Sequence, residues 1–511
     1  MRLFHGGEIV IPNNHWVDRL CERYDAILFD VGNTLVEQSL PGTPLDEVRV
    51  TVLRGVAATV SALDGRIAMG LVSNTSEMGA ATIRTFLDSV DLGSPFPVIV
   101  ATAELGIHKP DPAPLIEGAR QLSVDPARCI YVGDNETDLI AATRAGMDFC
   151  FSGPDLEWIL SRYACNEASP FARARAFQRG VDADFGLQCE GEINSLAKPP
   201  GSLGDLETVA IRIASIQRRI DPRIDPVAAA VFVADHGIAE SDVVTPWPWT
   251  ITKDISKLMA AGKATASIFA RSSDVFLEIV NVGIATGESP EGVRDEVIRK
   301  GTSDIRSGQT MSPDDVLAAL DVGVNTASRL IAGGSRVLCI GEVGIGNTTS
   351  AAALISWCTG LNPRIATGVG SGIPEDALER KRQIVADAVE SLDPNLDALE
   401  ALGRIGGLEI AAMVGVIIEA ASVGVPVILD GVITLSAACI AEKLCPQISA
   451  SMIASHQSPE PATVAALEFL GLQPLINLGM RVGEGTGALA VVPLLRSMCN
   501  AIAEMARLTD L

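Results

Sequence analysis

Aromatic residues are scarce, at 4% of 511 residues, and there are only five histidines. The ten cysteines include no C-x-x-C pair and no spacing with the histidines that suits zinc. A disulfide framework and a structural zinc module are therefore not indicated, and the thiols read as reduced and cytosolic. Cations are outnumbered. Lys and Arg total 39 against 63 Asp and Glu, a net charge of -24 that argues against nucleic acid and anionic membranes as partners. Any phosphate-bearing ligand must be held locally, by peptide N–H groups, a few Lys or Arg, or a metal. No long uninterrupted apolar run is present. The strongest stretch, Ile410 to Leu429, is broken by Glu419 and Pro426 and reads as a buried helix followed by a buried strand. The opening residues MRLFHGGEIV contain no apolar signal-peptide core. A cytoplasmic protein with small-molecule partners, and no membrane or nucleic acid, is expected.

What is present is apolar and glycine-rich: 48% hydrophobic residues and 47 glycines. That mix suits parallel α/β architecture, with Val/Ile/Leu/Ala strands under Ala-rich helices. We expect two Rossmann-like parallel-sheet domains, the second with a smaller helical part. In the first, apolar runs at Tyr24–Val31, Ile67–Val72, Val98–Ala101 and Cys129–Val132 read as strands, with a helix over Leu45–Leu63. Each strand runs into polar groups: Asp30, then Ser73-Asn74-Thr75, then Lys109, then Asp134 with Asp138. In an open parallel sheet these ends share one edge, where ligands bind. One carboxylate to attack phosphorus, a second to help hold Mg²⁺, and Ser and Lys for phosphate oxygens form a phosphoryl-transfer set.

This segment resembles the haloacid dehalogenase superfamily. The resemblance implies Asp30 as nucleophile, phosphate binding by Ser73, Asn74 and Lys109, and Mg²⁺ held by Asp30, the peptide oxygen of Gly32, and Asp134. Phosphatases of that superfamily usually carry a second Asp two residues after the nucleophile, as general acid/base. Here that residue is Gly32. The 42 residues between Asp30 and Ser73 leave room for only a minimal cap, so the site is expected to be open. We place this domain at residues 1–165, a linker with one or two helices at 166–185, and a second domain at 186–511.

The second domain repeats the pattern. Strands are expected at Ala228–Ala234 before Asp235-His236-Gly237, at Val275–Val282, at Arg336–Ile340 before GEVGIGNTTS (Gly341–Ser350), and at Val425–Leu429 before Asp430-Gly431. The Gly341–Ser350 turn opens an Ala-rich helix from Ala351, so its N–H groups and the helix dipole can bind phosphate without net positive charge. It is no Walker A loop, because no Lys follows its last glycine. Gly368–Ile373 is a second possible anion cradle, with Lys381 nine residues beyond Gly372. Near the end, an apolar run at Leu475–Leu478, taken as a strand, leads into Gly479–Gly487, where Glu484 is flanked by glycine on both sides. Missing side chains there let a ring approach the carboxylate closely.

Taken in order, KPPGSLGDLE, VADHGIA, GEVGIGNTTSAAAL, GVGSGI with Lys381, IGGLEIA, LDG, SHQSPEP and NLGMRVGEGTGA resemble the nicotinate-nucleotide–dimethylbenzimidazole phosphoribosyltransferase family over nearly its whole domain. The resemblance implies Glu484 as the base that deprotonates the attacking ring nitrogen. It implies Glu342, Gly344, Gly346, Asn347 and Thr348 lining the substrate site, and Gly370, Ser371, Gly372 and Lys381 on the phosphate side. Arg481, Val482, Thr245 and Trp249 are further substrate-binding candidates. No cofactor is implied for this step, and a homodimer through this domain is. Departures cluster at Thr245–Thr252, where Trp247 and Trp249 replace a segment that is usually Tyr-Pro-Gln-Glu-Val-Thr, and at Asn281, where Asp is common.

The expected reaction moves phosphoribosyl from nicotinate mononucleotide to dimethylbenzimidazole or a related aromatic base. The front domain is expected to remove the 5′-phosphate of the product. The alternatives are a non-catalytic front module, a purine or phenol as base, and a rear domain that binds without transferring.

Overall fold

The computed structural model describes residues 15–37, 50–76, 78–153, 156–163, 169–241 and 244–510. It divides into two compact units, Met1–Arg173 with Ser328–Gly334, and Ala174–Ala327 with Ser335–Leu511.

The first unit holds a five-stranded parallel sheet. Its strands are β1 (Ala26–Phe29), β2 (Ala68–Ser73), β3 (Val98–Ala101), β4 (Cys129–Gly133) and β5 (Asp148–Phe151), in the order β3-β2-β1-β4-β5. β1 (AILF) and β4 (CIYVG) are buried along their whole length, as central strands covered on both faces must be. Phe29 pairs with Leu71 and with Val132, so Asp30, Ser73 and Asp134 emerge within two residues of one edge. That edge lies at the switch point where the chain order reverses about β1.

The second unit holds a six-stranded sheet of order β11-β10-β9-β6-β7-β8, again with every pair parallel. Its strands are β6 (Val227–Ala234), β7 (Phe276–Gly283), β8 (Arg294–Asp295), β9 (Val337–Val343), β10 (Val427–Leu429) and β11 (Met452–Ala454). The helix Leu408–Ser422 packs beside β6 and β9 and is buried on every side, which explains its apolar character all round. The helix Thr486–Glu504 is long and apolar enough by length and composition to cross a membrane, and half of its most apolar window is buried. Ala488, Leu489, Val491, Val492 and Leu495 place it in the core with β6 and β9.

Several expectations are corrected. The helix expected over Leu45–Leu63 occupies Val56–Leu63: Gly55 at φ 83 precedes it, and Val52 instead bridges Val36. Residues 45–49 of that expectation lie outside the described residues. The linker 166–185 needs no such correction: residues 166–168 lie outside the described residues, and the remainder carries the helix Pro170–Ala176 and the start of Ala183–Ser195, in keeping with the one or two helices expected there. Leu475–Leu478 is no strand. Ile476 makes one isolated bridge to His456, and Pro474 removes an N–H just before it. Strands β5, β8 and β11 are additions; they span four, two and three residues, too few to leave a period.

Candidate active site

In the first unit the chemistry gathers on a lysine. Lys109 Nζ donates to Asp30 Oδ1 at 2.9 Å, to Tyr131 Oη at 2.7 Å and to Val72 O at 3.3 Å, and pairs with Asp138 Oδ1 at 2.6 Å. Asn74 fixes the lysine backbone from the end of β2: its amide donates to Lys109 O at 3.2 Å and its Oδ1 accepts from Lys109 N at 2.9 Å. Ser73 is buried at the same strand end. Asp138, fully buried in the first turn of Glu136–Ala145, also accepts from Asp134 N at 3.2 Å. Gly133 must be glycine here, since a Cβ would lie 2.4 Å from Asp138 Oδ2. Asn33 and Asn135 donate to Asp134 at 3.2 and 2.9 Å.

Carboxylate oxygens of Asp30, Asp134 and Asp138 lie within 4.8 Å of one another. Burial pushes the Asp30 carboxyl up, against the pull of Lys109. Three buried acids against one buried lysine leave negative charge that a divalent cation would neutralise, so the residues fit Mg²⁺. Asp30, Asp134 and Asp138 are the carboxylates among the described residues that could hold it, with Asp30 and Asp138 also paired with Lys109. Gly32 itself offers no side chain. Tyr131 is the member that the sequence reading missed, because a tyrosine inside a buried strand looks like core.

In the second unit, Glu484 sits in a turn of three consecutive left-handed residues, with φ of 80, 62 and 78 at Gly483, Glu484 and Gly485. Only the glycines adopt that conformation at no steric cost. Three hydrogen bonds hold the turn: Glu484 N donates to Glu342 O at 3.2 Å, and Asp430 accepts from Gly485 N and Gly487 N at 3.1 and 2.6 Å. The Glu484 side chain reaches the N-terminus of the helix Thr265–Ser272, where Oε2 accepts from Ala266 N at 3.1 Å. Burial raises its pKa, and the N–H groups of Ala266 and Thr265 oppose that rise.

Opposite the turn, β9 runs on to Val343, so Glu342 belongs to the strand and not to the glycine turn. Glu342 accepts from Asn347 Nδ2, and burial reinforced by Glu409 and Asp430 pushes it to about 8. Gly344 approaches Ala234 O so closely that a Cβ would lie 2.6 Å away. Gly346, at φ 94, opens the helix Asn347–Thr359, which has no side-chain cap. The second glycine loop stands beside it. Lys381 is fully buried under this loop, donating to Thr348 Oγ1 at 2.7 Å and Gly368 O at 3.3 Å, and burial pushes it down to about 8. Gly370 N donates to Glu460 Oε1 at 2.9 Å.

One cavity of about 450 Å³, within the range of small-molecule sites, unites these pieces. Glu484, Glu342, Gly344, Gly346, Asn347, Thr348, Gly370, Ser371, Arg481, Val482 and Thr245 all line it. Gly372, Lys381 and Trp249 are not among its lining residues. Lys381 acts from behind the wall, and the indole on the cavity is that of Trp247, half exposed. Asn281 is a turn anchor: its Oδ1 accepts from Gly283 N at 3.0 Å and Ile284 N at 2.8 Å, and its amide donates to Ser289 Oγ at 2.6 Å. His456, Ser458 and Glu460 also line the cavity, and Asp430 anchors the Glu484 turn. They lie in the SHQSPEP and LDG stretches, whose order marked them but whose individual roles only the packing reveals.

Residues 179–510 match the family described as phosphoribosyltransferase, and residues 44–152 match haloacid dehalogenase-like hydrolase, a range that begins after Asp30. Among curated relatives, the nicotinate-nucleotide–dimethylbenzimidazole phosphoribosyltransferase of Halalkalibacterium halodurans is 37% identical over 327 residues, covering 64% of this chain and 91% of the relative. The protein of the same name from Salinispora tropica is 39% identical over 328 residues, covering 61% and 90%. A crystal structure of the Thermus thermophilus protein of that name superposes with a TM-score of 0.61 at 36% identity, covering 64% of this chain and 98% of that one. The chain therefore belongs to the nicotinate-nucleotide–dimethylbenzimidazole phosphoribosyltransferase family and carries a haloacid dehalogenase-like hydrolase domain ahead of it.

Proposed function

We propose that the second unit transfers the phosphoribosyl group of nicotinate mononucleotide to 5,6-dimethylbenzimidazole or a related aromatic base, releasing nicotinate and forming α-ribazole 5′-phosphate. The observation that carries this is the Glu484 turn, which faces a cavity bordered by two glycine loops. The incoming ring nitrogen attacks the anomeric carbon as the bond to nicotinate breaks, and its proton goes to the Glu484 carboxylate. A raised pKa suits a general base working near neutral pH. The uncapped helix start at Gly346 supplies N–H groups for the phosphate, with Ser371 on the cavity wall and Lys381 behind it. No metal is assigned to this step. Purified full-length protein, given nicotinate mononucleotide and dimethylbenzimidazole, is expected to release nicotinate and form α-ribazole 5′-phosphate, both followed by mass. Neither appearing refutes the proposal.

Trp247 favours a second reading of the base alone. A half-exposed indole on the cavity is apolar surface that a flat ring would cover. A panel of benzimidazoles, purines and phenols ranks the bases, and a purine or phenol used faster than dimethylbenzimidazole changes the substrate and leaves the reaction type intact. Assembly as a homodimer through this unit is checked by light scattering.

At the front site we propose that Asp30 accepts a phosphoryl group, with Mg²⁺ held by Asp30, Asp134 and the Gly32 peptide oxygen. The ion, when bound, neutralises charge on the phosphate oxygens. The ring of Lys109, Asp30, Asp138 and Tyr131 favours this over a purely non-catalytic module. The substrate at hand is the 5′-phosphate of the rear unit's product. Phosphate-free α-ribazole in the same incubation, lost in Asp30→Asn, supports that assignment; phosphorylated product alone refutes it.

A further inference from the structure

The front site has a nucleophile and phosphate ligands but, among the described residues, nothing free to protonate what leaves. Gly32, two residues beyond Asp30, has no side chain. The described protonatable groups of the cluster are all engaged. Asp134 takes amide donors from Asn33 and Asn135, and Asp138 is held by Lys109 and by Asp134 N. Tyr131 accepts from Lys109 and donates to Val72 O at 3.1 Å, and Lys109 commits its protons to this ring. Asn33, next to Gly32, is an amide and cannot donate a proton to an alkoxide.

We infer that the front site acts on activated phosphoryl donors, the acyl phosphates and phosphoanhydrides, whose leaving groups depart as stable anions, and that its phosphorylated Asp30 is long-lived. This rests on Asp30 being the phosphoryl acceptor, as proposed above. In the first half-reaction the Asp30 oxygen not held by Lys109 attacks phosphorus. The bond from phosphorus to the leaving oxygen breaks, and its electron pair departs with that oxygen. A carboxylate or phosphate accepts this pair without a proton; a primary alkoxide does not. In the second half-reaction water attacks phosphorus, the bond to Asp30 breaks, and the carboxylate recovers its pair. The water's protons pass to the released phosphate and to solvent. A side-chain base at position 32 would assist that second step, and Gly32 cannot. The first half therefore favours a good leaving group and the second a slow discharge, and the nucleotide 5′-phosphate proposed above is turned over, but slowly.

The test uses the full chain with Mg²⁺ and three probes: acetyl phosphate, p-nitrophenyl phosphate and glycerol 2-phosphate. Intact mass should show one added phosphoryl group after acetyl phosphate, absent in Asp30→Asn. The rate of phosphorylation of Asp30 in a single turnover should fall in the order given, with acetyl phosphate ahead of glycerol 2-phosphate by about 10²–10⁴, the usual effect of a positioned acid/base. Gly32→Asp should raise glycerol 2-phosphate turnover by a similar factor and shorten the life of the adduct. Equal phosphorylation rates with acetyl phosphate and glycerol 2-phosphate in the parent protein would overturn the inference while leaving Asp30 as acceptor. No adduct and no turnover with any probe would overturn the acceptor assignment as well.

Discussion

Glu484→Gln isolates the proton step of the transferase. The replacement keeps length and shape. Its amide oxygen can take the bond from Ala266 N that Oε2 takes at 3.1 Å. The backbone at φ 62 is set by Gly483, Gly485 and the Asp430 bonds, none of which the change touches. What disappears is the proton acceptor. A lost general base costs about 10²–10⁴ in rate, or about 3–5 kcal/mol of barrier at ~1.4 kcal/mol per tenfold. The KM for nicotinate mononucleotide should hold, because the Gly370 loop and Lys381 are unaltered. The assay follows nicotinate release and nucleotide formation across a pH series. Burial raises the Glu484 pKa, so the wild-type rate should fall on the acid side at a pH above the usual carboxylate range. In the Gln variant that limb should vanish. Stability carries an independent sign. A folded pKa above the unfolded one gives stabilisation that is complete below the unfolded value and lost as pH rises through the folded value. The ionised carboxylate is thus unfavourable at neutral pH, and the variant should melt higher than wild type there, with the gap closing in acid. A variant with kcat within tenfold of wild type, or one whose KM rises at unchanged kcat, would refute the base assignment in favour of simple binding.

Three further outcomes are expected. Glu342, pushed to about 8 from 4.5, should take up a proton on folding, so denaturant stability should decline as pH rises from about 5 through 8, by ~5 kcal/mol as an order of magnitude; Glu342→Gln should flatten that decline. Gly487→Ala would set a Cβ 1.9 Å from His456 Nδ1 and 2.7 Å from Asp430 Oδ1, so it should cost about 1–3 kcal/mol in thermal unfolding and reduce transfer by shifting the Glu484 turn. Chelation of divalent ions should abolish phosphorylation of Asp30 and leave nicotinate release unchanged.

Sequence order carried most of the fold because each buried strand ends in a chemically distinct group. Asp30, Asp134, Glu342 and Asp430 each follow or end an apolar run, and a parallel sheet brings such ends to one edge. The short strands escaped because MIA and RD are too brief to show a period. Leu475–Leu478 is misleading because apolar content does not by itself imply strand pairing, and Pro474 precedes it. Trp249 and Trp247 are two residues apart in a segment with no regular structure, so no periodicity could say which indole meets the cavity. Lys381 was legible as a cation near a glycine loop. That it is wholly buried, and bound to Thr348 from the other loop, depends on how the helices Asn347–Thr359 and Glu375–Glu390 pack.

That buried lysine bears on how a chain of net charge -24 can hold a phosphate. The cavity is lined by Glu342, Glu460 and Glu484, with Asp430 just behind, and the sole cation among the described lining residues is Arg481. Fully ionised, those acids would repel a phosphate dianion. Burial changes their state: Glu342 is pushed to about 8 and Asp430 to about 7, so near neutral pH much of that charge is absent. Glu460 commits an oxygen to Gly370 N and stands beside Lys381, whose ammonium it favours. The dianion therefore meets peptide N–H groups, a helix start and one shielded cation. Glu484 combines a half-buried carboxylate with helix N–H donors that favour its ionised form, which suits the base role proposed for it. On the proposed reading the acids of this site thus divide by burial: the deepest, Glu342 and Asp430, give up charge and admit the phosphate, and half-buried Glu484 serves the ring nitrogen as base.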